Sequence, residues 1–113
     1  MVIGGCALVL HGVASECGDL DIVPDPDAGN LRTLRSALNA LGASRMSGAA
    51  LTAAVVSLDS PYGRIDVMME RARDEYPALA AAAVTCRVED AEVRVAAVDD
   101  VMRLRARFRE VVG

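Results

Sequence analysis

The sequence predicts an α/β (α+β) fold with a mixed, mostly antiparallel sheet and helices packed on it. Short runs of strand-forming residues, such as 19–23 and 64–69, alternate with segments whose apolar residues recur every three or four positions. Glycine and proline separate these runs. The chain has 113 residues, 53% of them hydrophobic, so we expect a single domain, 1–113, with a core of its own.

The first half of the chain predicts strands and two helices. Residues 1–4 are apolar and indicate a buried strand, and residues 6–10 indicate a short helix. A longer helix follows, with Asp27 or Asn30 as its N-cap and Gly42 at its end. The apolar stripe of this helix comprises Leu31, Leu34, Leu38 and Leu41.

The second half predicts two hairpins and two helices. Strands at 53–58 and 64–69 are expected to form a hairpin with a five-residue connection. A helix at 74–83 would carry Pro77 in its first turn, where proline is tolerated. The remaining elements are a hairpin of strands 86–89 and 92–96, and a helix that starts at Asp99 or Asp100 and carries the apolar stripe Val101, Leu104, Phe108 and Val111.

Charge and cysteine content narrow the possible settings. The formal net charge of −4 argues against broad, sequence-independent binding of nucleic acid. No apolar run is long enough to span a membrane. The odd number of cysteines and the lack of a C-x-x-C pair predict that Cys6, Cys17 and Cys86 are free thiols in a reducing cytoplasm. His11, the single histidine, is expected to pack or cap rather than bind a metal.

Three aspartates are the candidate site. Asp19 and Asp21 alternate along one predicted strand, which places both carboxylates on one face. Asp66 lies between strand formers on a later strand, and if the two strands are neighbours the three carboxylates converge. Such like charges repel, so divalent cations would neutralise them. Alternatively, Asp66 pairs with Arg64, or the aspartates are caps and turns.

An apolar residue before two glycines, an Asp–apolar–Asp strand and a third acid on a later strand make up the pattern of the DNA polymerase β-like nucleotidyltransferase superfamily, which this chain resembles. The pattern residues are Ile3, Gly4, Gly5, Asp19, Leu20, Asp21 and Asp66. The chain is most similar to the small bacterial nucleotidyltransferases, including the abortive-infection and toxin–antitoxin types. The segments that carry this similarity are 4–8, 10–12, 19–23 and 61–67.

The resemblance implies a minimal nucleotidyltransferase domain, in which we expect the flanking helices of other members to be missing. It implies transfer of a nucleoside monophosphate from a triphosphate to a hydroxyl on a protein, a tRNA end or a small molecule. Asp19 and Asp21 would bridge two Mg²⁺ or Mn²⁺ ions, and Asp66 would hold the catalytic ion and take the acceptor proton.

The resemblance also assigns nucleotide-binding residues. Gly4 and Gly5 would present backbone N–H groups to the β- and γ-phosphates. The last helix of family members often carries a lysine near the position of Arg105, which assigns Arg105 to the nucleotide.

A second interpretation keeps the fold without the catalysis. Family members often place Arg and Thr four and two residues before the first acid, and this chain has Ser15 and Cys17 there. Such a module would bind a partner protein, for example as half of a toxin–antitoxin pair, and would tolerate loss of its carboxylates. The apolar first strand would be an exposed edge of the sheet, which favours a homodimer in either case.

Overall fold

The computed structural model describes residues 1–45 and 54–112. Within them the chain forms four helices and seven strands. In chain order the elements are β1 (Val2–Ile3), α1 (Gly4–Leu10), β2 (Leu20–Ile22), α2 (Ala28–Ala40), β3 (Ser44–Arg45), β4 (Val55–Ser60), β5 (Gly63–Met68), α3 (Met69–Ala82), β6 (Val84–Val88), β7 (Ala91–Val95) and α4 (Val98–Val112).

The seven strands form one sheet in the order β3-β4-β5-β2-β1-β7-β6. The β2–β5 and β1–β7 pairs are parallel, and the four other neighbouring pairs are antiparallel. This confirms the predicted α/β fold with a mixed, mostly antiparallel sheet. It also makes β2 and β5, the two acidic strands, direct neighbours near the middle of the sheet.

Two hydrophobic clusters hold the helices to the sheet. In the first, α1, α3 and α4 pack with β1 and β7, and Leu79, Val95 and Val101 are fully buried. In the second, Leu38 of α2 packs with residues of β4 and β5. Leu20 and Ile22 of β2 contact both clusters. The apolar side of the acidic strand therefore anchors it in the core, because burial of such side chains stabilises the folded state.

The second helix forms as its apolar stripe predicts. Asp27 is the N-cap, and its carboxylate accepts hydrogen bonds from the backbone N–H groups of Gly29 and Asn30. Leu38 is buried, and the helix ends before Gly42, whose φ of +75° is a conformation that favours glycine.

Two predicted boundaries in the second half are wrong. The β4–β5 connection has two residues, not five, because Ser60 pairs directly with Gly63. Helix α3 starts at Met69 rather than at residue 74, since Met69 and Ala72 are buried and continue the chain into a helix as soon as β5 ends. Pro77 therefore lies inside the helix and not in its first turn.

The expectation that the first strand is an exposed edge is also wrong. β1 lies between β2 and β7, so both of its edges are paired. The strand therefore has no unpaired edge that a second copy of the chain would cover. Two other predictions fall outside the described residues: the start of the strand at residue 53, and the packing of the Phe108 and Val111 side chains. No helix in the described part is long and apolar enough to cross a membrane.

Candidate functional site

The sheet brings the three predicted acids together. Asp21 on β2 lies opposite Asp66 on β5 in the parallel register, and Ser57 on β4 lies opposite Asp66 on the other side. Asp19 directly precedes β2 and alternates with Asp21, which gives both carboxylates one face of the sheet. The convergence expected from the sequence is therefore present in the structure.

Asp66 is the buried member of the group, with 8% of its surface exposed. Its Oδ1 accepts a hydrogen bond from Ser57 Oγ at 2.6 Å and another from Arg64 Nε at 3.0 Å. Arg64 Nη2 also donates to Ser57 Oγ at 3.0 Å, and Arg64 Nε lies 3.9 Å from Asp19 Oδ2. The Asp66–Arg64 pairing, which the sequence analysis considered as an alternative, thus exists within the acidic group.

The sequence analysis missed Ser57. The residue alternates along β4 with buried Val56 and Leu58, so its face was readable from the pattern. Its partner was not, because only the β4–β5 register shows that Ser57 faces Asp66.

The Asp21 carboxyl is perturbed by this environment. Its pKa is raised to about 6, mainly by burial. The rise is increased by the negative charge of Asp66, by a hydrogen bond to Asp66 and by the charge of Asp19. The positive charge of Arg64 opposes it. A protonated Asp21 donates to the Asp66 carboxylate, so in the absence of a divalent cation a proton relieves part of the repulsion.

We expect Asp21 to make the metal-free protein more stable as the pH falls. Its folded pKa is about 6 and an unfolded aspartate titrates near ~3.9, so between these values the folded state binds more protons and the free energy of unfolding rises as pH decreases. After allowance for the screening of a partly exposed carboxyl, we expect about 1 kcal/mol.

The measurement is urea denaturation in EDTA from about pH 7.5 to about pH 4.5, with Asp21→Asn as the control that cannot titrate. The stability of the wild type relative to Asp21→Asn should rise as the pH falls. A difference between the two proteins that is constant over this range would contradict the prediction.

Gly4 lies where β1 turns into α1 and makes room for Asp21. Its φ is +68°, and a Cβ at this position would lie 2.5 Å from Asp21 Oδ2. A Cβ on Gly5 would instead make ordinary contacts, 3.7 Å from Arg105 Nη1 and 3.7 Å from Cys17 Cβ. The structure therefore gives Gly4 a steric role toward an acid, which the sequence analysis did not foresee.

Alanine substitution is expected to separate the two glycines. We expect Gly4→Ala to lower the free energy of unfolding by about 2 kcal/mol, because a left-handed backbone costs an L-residue about 1–2 kcal/mol and Asp21 must also move. The matched control Gly5→Ala is expected to change it by less than about 0.5 kcal/mol. Urea denaturation of both variants measures this, and equal losses would contradict the steric role of Gly4.

All six site residues predicted from the sequence line one cavity of about 970 Å³. They are Asp19, Asp21, Asp66, Gly4, Gly5 and Arg105. Arg64, the first turns of α3, including Glu70 and Asp74, and apolar residues such as Met68 and Leu104 also line it. The acids and the Gly5–Arg105 pair thus face one space with room for a nucleotide-sized ligand.

A charged network fixes the helix that carries Arg105. Arg103 Nη1 on α4 donates to Glu75 Oε1 on α3 at 2.9 Å, and Arg71 Nη1 donates to Glu75 Oε2 at 2.7 Å. Buried Val101 and Leu104 hold α4 in the core, and this link joins α4 to α3 two residues before Arg105.

The cysteine prediction is wrong for two of the three residues. Cys6 and Cys17 form a disulfide, and Cys86 alone is a free thiol. Cysteine spacing could not reveal the pair, since the fold brings the start of α1 to the loop before β2, with 5.1 Å between the two Cα atoms. Cys6 Sγ also lies 3.3 Å from the Asp19 carbonyl oxygen, a contact that is a hydrogen bond only when Cys6 is reduced.

His11 behaves as the sequence predicts. It is the C-cap of α1, and its Nε2 lies 2.7 Å from the carbonyl oxygen of Ala96, to which the ring N–H donates. The contact joins α1 to the segment after β7, and with the C-cap position of His11 it agrees with the predicted packing or capping role.

The acidic group fits a divalent cation by its chemistry. Its carboxylates are the hard oxygen ligands that Mg²⁺ and Mn²⁺ take, and their repulsion contributes to the raised pKa of Asp21. Within residues 1–45 and 54–112, however, no three His, Cys, Asp or Glu side chains are arranged to hold a metal ion. Asp66 Oδ1 instead accepts hydrogen bonds from Ser57 Oγ and Arg64 Nε.

Comparison of the chain with protein-family models, with curated proteins and with solved structures finds no match.

Proposed function

We propose that the protein is a metal-dependent nucleotidyltransferase of the DNA polymerase β-like superfamily, of the small bacterial abortive-infection or toxin–antitoxin type. It transfers a nucleoside monophosphate from a nucleoside triphosphate to a hydroxyl on a protein, a tRNA end or a small molecule. The observation that carries the proposal is the in-register pairing of Asp21 with Asp66, beside Asp19, on the wall of a nucleotide-sized cavity.

The three acids have separate roles in this proposal. When bound, Mg²⁺ or Mn²⁺ lowers the pKa of the attacking hydroxyl and neutralises phosphate charge. Asp19 and Asp21 are assigned as ligands shared by the ions, and Asp66 as the ligand on the acceptor side. Asp66 is buried and its Oδ1 accepts a hydrogen bond from Ser57 Oγ, so its carboxylate is positioned to take the proton of the acceptor hydroxyl.

The part of the cavity wall formed by Gly4, Gly5 and Arg105 suits the phosphates of the triphosphate. Beside Gly5, the Arg105 guanidinium and the Cys17 Cβ each lie 3.7 Å from the place where a side chain would begin. A phosphate beside Gly5 would therefore meet a planar cation that can donate two hydrogen bonds to it. Gly4 and Gly5 supply the backbone of this cradle, and Gly4 also leaves room for Asp21.

A non-catalytic module that binds a partner protein is the second candidate. Ser15 and Cys17 stand where the resemblance leads us to expect Arg and Thr, and Cys17 is bonded to Cys6 and so is not free to contact a substrate. Half of a toxin–antitoxin pair is the setting that this candidate favours, and a homodimer is the other assembly to test.

The cytoplasm is the proposed compartment. The Cys6–Cys17 disulfide weighs against it, because the cytoplasm keeps such thiols reduced. Alkylation of thiols at the moment of cell lysis decides the point. One modified cysteine per chain would contradict a cytoplasmic location, and three would support it.

Calorimetric titration tests the proposed function. ATP, GTP, CTP and UTP are titrated into the protein with Mg²⁺ or Mn²⁺ present and again in EDTA. The Asp19→Asn/Asp21→Asn double variant removes the proposed ligands. The matched control, Asp90→Asn/Asp99→Asn, removes the same charge at two exposed positions away from the cavity wall.

We expect one triphosphate to bind only with the metal present, and binding to be lost in Asp19→Asn/Asp21→Asn but kept in the control. That result would support the enzyme and identify the donor nucleotide. Absence of binding in all three proteins would favour the partner-binding module. Equal binding of the triphosphate by all three proteins would contradict the assignment of Asp19 and Asp21 as metal ligands.

A further inference from the structure

Arg64 is a cation inside the acidic group. Its Nε lies 3.0 Å from Asp66 Oδ1 and 3.9 Å from Asp19 Oδ2, so the guanidinium contacts two of the three proposed metal ligands. It also donates to Ser57 Oγ, which itself donates to the same Asp66 oxygen. The carboxylates of Asp19, Asp21 and Asp66 carry the negative charge of this group, and the Arg64 guanidinium supplies positive charge beside them.

The guanidinium and a divalent cation compete for Asp66 Oδ1. A metal bound to a carboxylate oxygen lies about 2.1 Å from it, and Arg64 Nε lies 3.0 Å from Asp66 Oδ1. Two cations on one oxygen would face each other at a few ångströms, where like charges repel strongly away from bulk water. Ser57 Oγ donates a hydrogen bond to the same Asp66 Oδ1 at 2.6 Å and so occupies a second direction from which a ligand could approach this oxygen.

Arg64 is also able to leave. Its side chain is 45% exposed and lines the cavity rather than the core. It lies next to the two-residue turn between β4 and β5, and its backbone is held in the sheet by pairing with Asp59. The side chain can therefore rotate into the cavity without loss of a strand, and there an anionic phosphate is a partner that a guanidinium binds well.

We propose that Arg64 is an internal counter-ion, which occupies the place of the divalent cation at Asp66 while the cavity holds no nucleotide. The proposal rests on the proposed function, since it needs the acids to be metal ligands. In it, a triphosphate draws the guanidinium away and the metal takes its place, so that metal alone binds weakly and metal with nucleotide binds well. Arg64 is thus a residue that makes metal binding depend on the triphosphate.

The test measures the affinity of the protein for Mn²⁺ in the absence of nucleotide. Electron paramagnetic resonance quantifies the free ion during the titration. We expect Arg64→Gln to bind Mn²⁺ about tenfold more tightly than the wild type, because one repelling charge is removed at contact distance. The matched control is Arg35→Gln, which removes the same charge from an exposed position on α2. Its affinity is expected to stay within about twofold of the wild type.

A structural role for Arg64 predicts the opposite result. If Arg64 only held Asp66 in place, Arg64→Gln would weaken the binding of Mn²⁺ together with the stability of the fold. Addition of Asp66→Asn to Arg64→Gln should abolish the gain and so locate it at this site. Arg64→Lys, which keeps the charge, provides a variant that folds if Arg64→Gln does not, and its affinity should remain near that of the wild type.

The outcomes separate the two proposals. If the wild type binds Mn²⁺ and Arg64→Gln binds it no more tightly than Arg35→Gln does, the counter-ion proposal fails while the proposed function stands. If none of these proteins binds Mn²⁺, with or without a triphosphate, both fail.

Discussion

Asp66→Asn is expected to lower the rate of nucleotidyl transfer by about a thousandfold, which is within the range for loss of a positioned general base. The amide can still accept hydrogen bonds from Ser57 and Arg64, so the local packing is retained. It carries no charge for a metal and cannot take the acceptor proton. Its N–H group can also donate to Asp21, so the fold is expected to be at least as stable as that of the wild type.

The measurement is the initial rate of pyrophosphate release, with the triphosphate that the titration identifies. Ser57→Ala is the matched control, because it removes one hydrogen bond to Asp66 and leaves the carboxylate. For this control we expect a loss of about tenfold, as is found when the support of a metal ligand is removed. Transfer at the wild-type rate by Asp66→Asn would falsify the role given to Asp66.

The acids themselves could be predicted from the sequence for a physical reason. Asp19 and Asp21 alternate with Leu20 and Ile22, so the period of a strand fixes their shared face without knowledge of any other element. The apolar residues of that strand then had to be buried, and they are the ones that contact both hydrophobic clusters. Asp66 also lies among strand formers, so it would join the other two acids if its strand were the neighbour of theirs, as it is.

The details that decide how the site works depend on long-range register. Whether Ser57 meets Asp66, or Gly4 meets Asp21, is settled by which strands pair and by the residue at which they pair. The Cys6–Cys17 bond likewise needs the start of α1 to approach the loop before β2. The local sequence pattern does not contain this information about pairing. For the same reason the start of α3 was predicted too late, because its first turn depends on the burial of Met69 and Ala72.

Arg64 shows how an alternative and a functional assignment can both hold. From the sequence, pairing with Arg64 and a metal role for Asp66 were alternatives, whereas in the counter-ion proposal the two alternate at the same carboxylate. The structure has the ion pair, at 3.0 Å, inside a group of acids that line the cavity. The pair satisfies Asp66 Oδ1 without a metal and leaves the guanidinium 45% exposed at the cavity.

Reduction of the Cys6–Cys17 disulfide is expected to lower the free energy of unfolding by about 3 kcal/mol, since the bond closes a loop in the unfolded chain. The two cysteines are 11 residues apart in sequence. The loop joins the glycine turn to the residues that lead into Asp19, so the bond also fixes the distance between the proposed phosphate cradle and the acids. Reduction should therefore weaken triphosphate binding as well as stability.

Urea denaturation with and without a phosphine reductant measures the effect, and Cys17→Ser should reproduce it without any reductant. Cys86→Ser is the matched control, because Cys86 is a free thiol that lies in contact with the Leu10 carbonyl oxygen and takes no part in the bond. The control should respond to the reductant as the wild type does, whereas Cys17→Ser should not respond. An unchanged midpoint of the wild type on reduction would mean that the bond does not stabilise the fold.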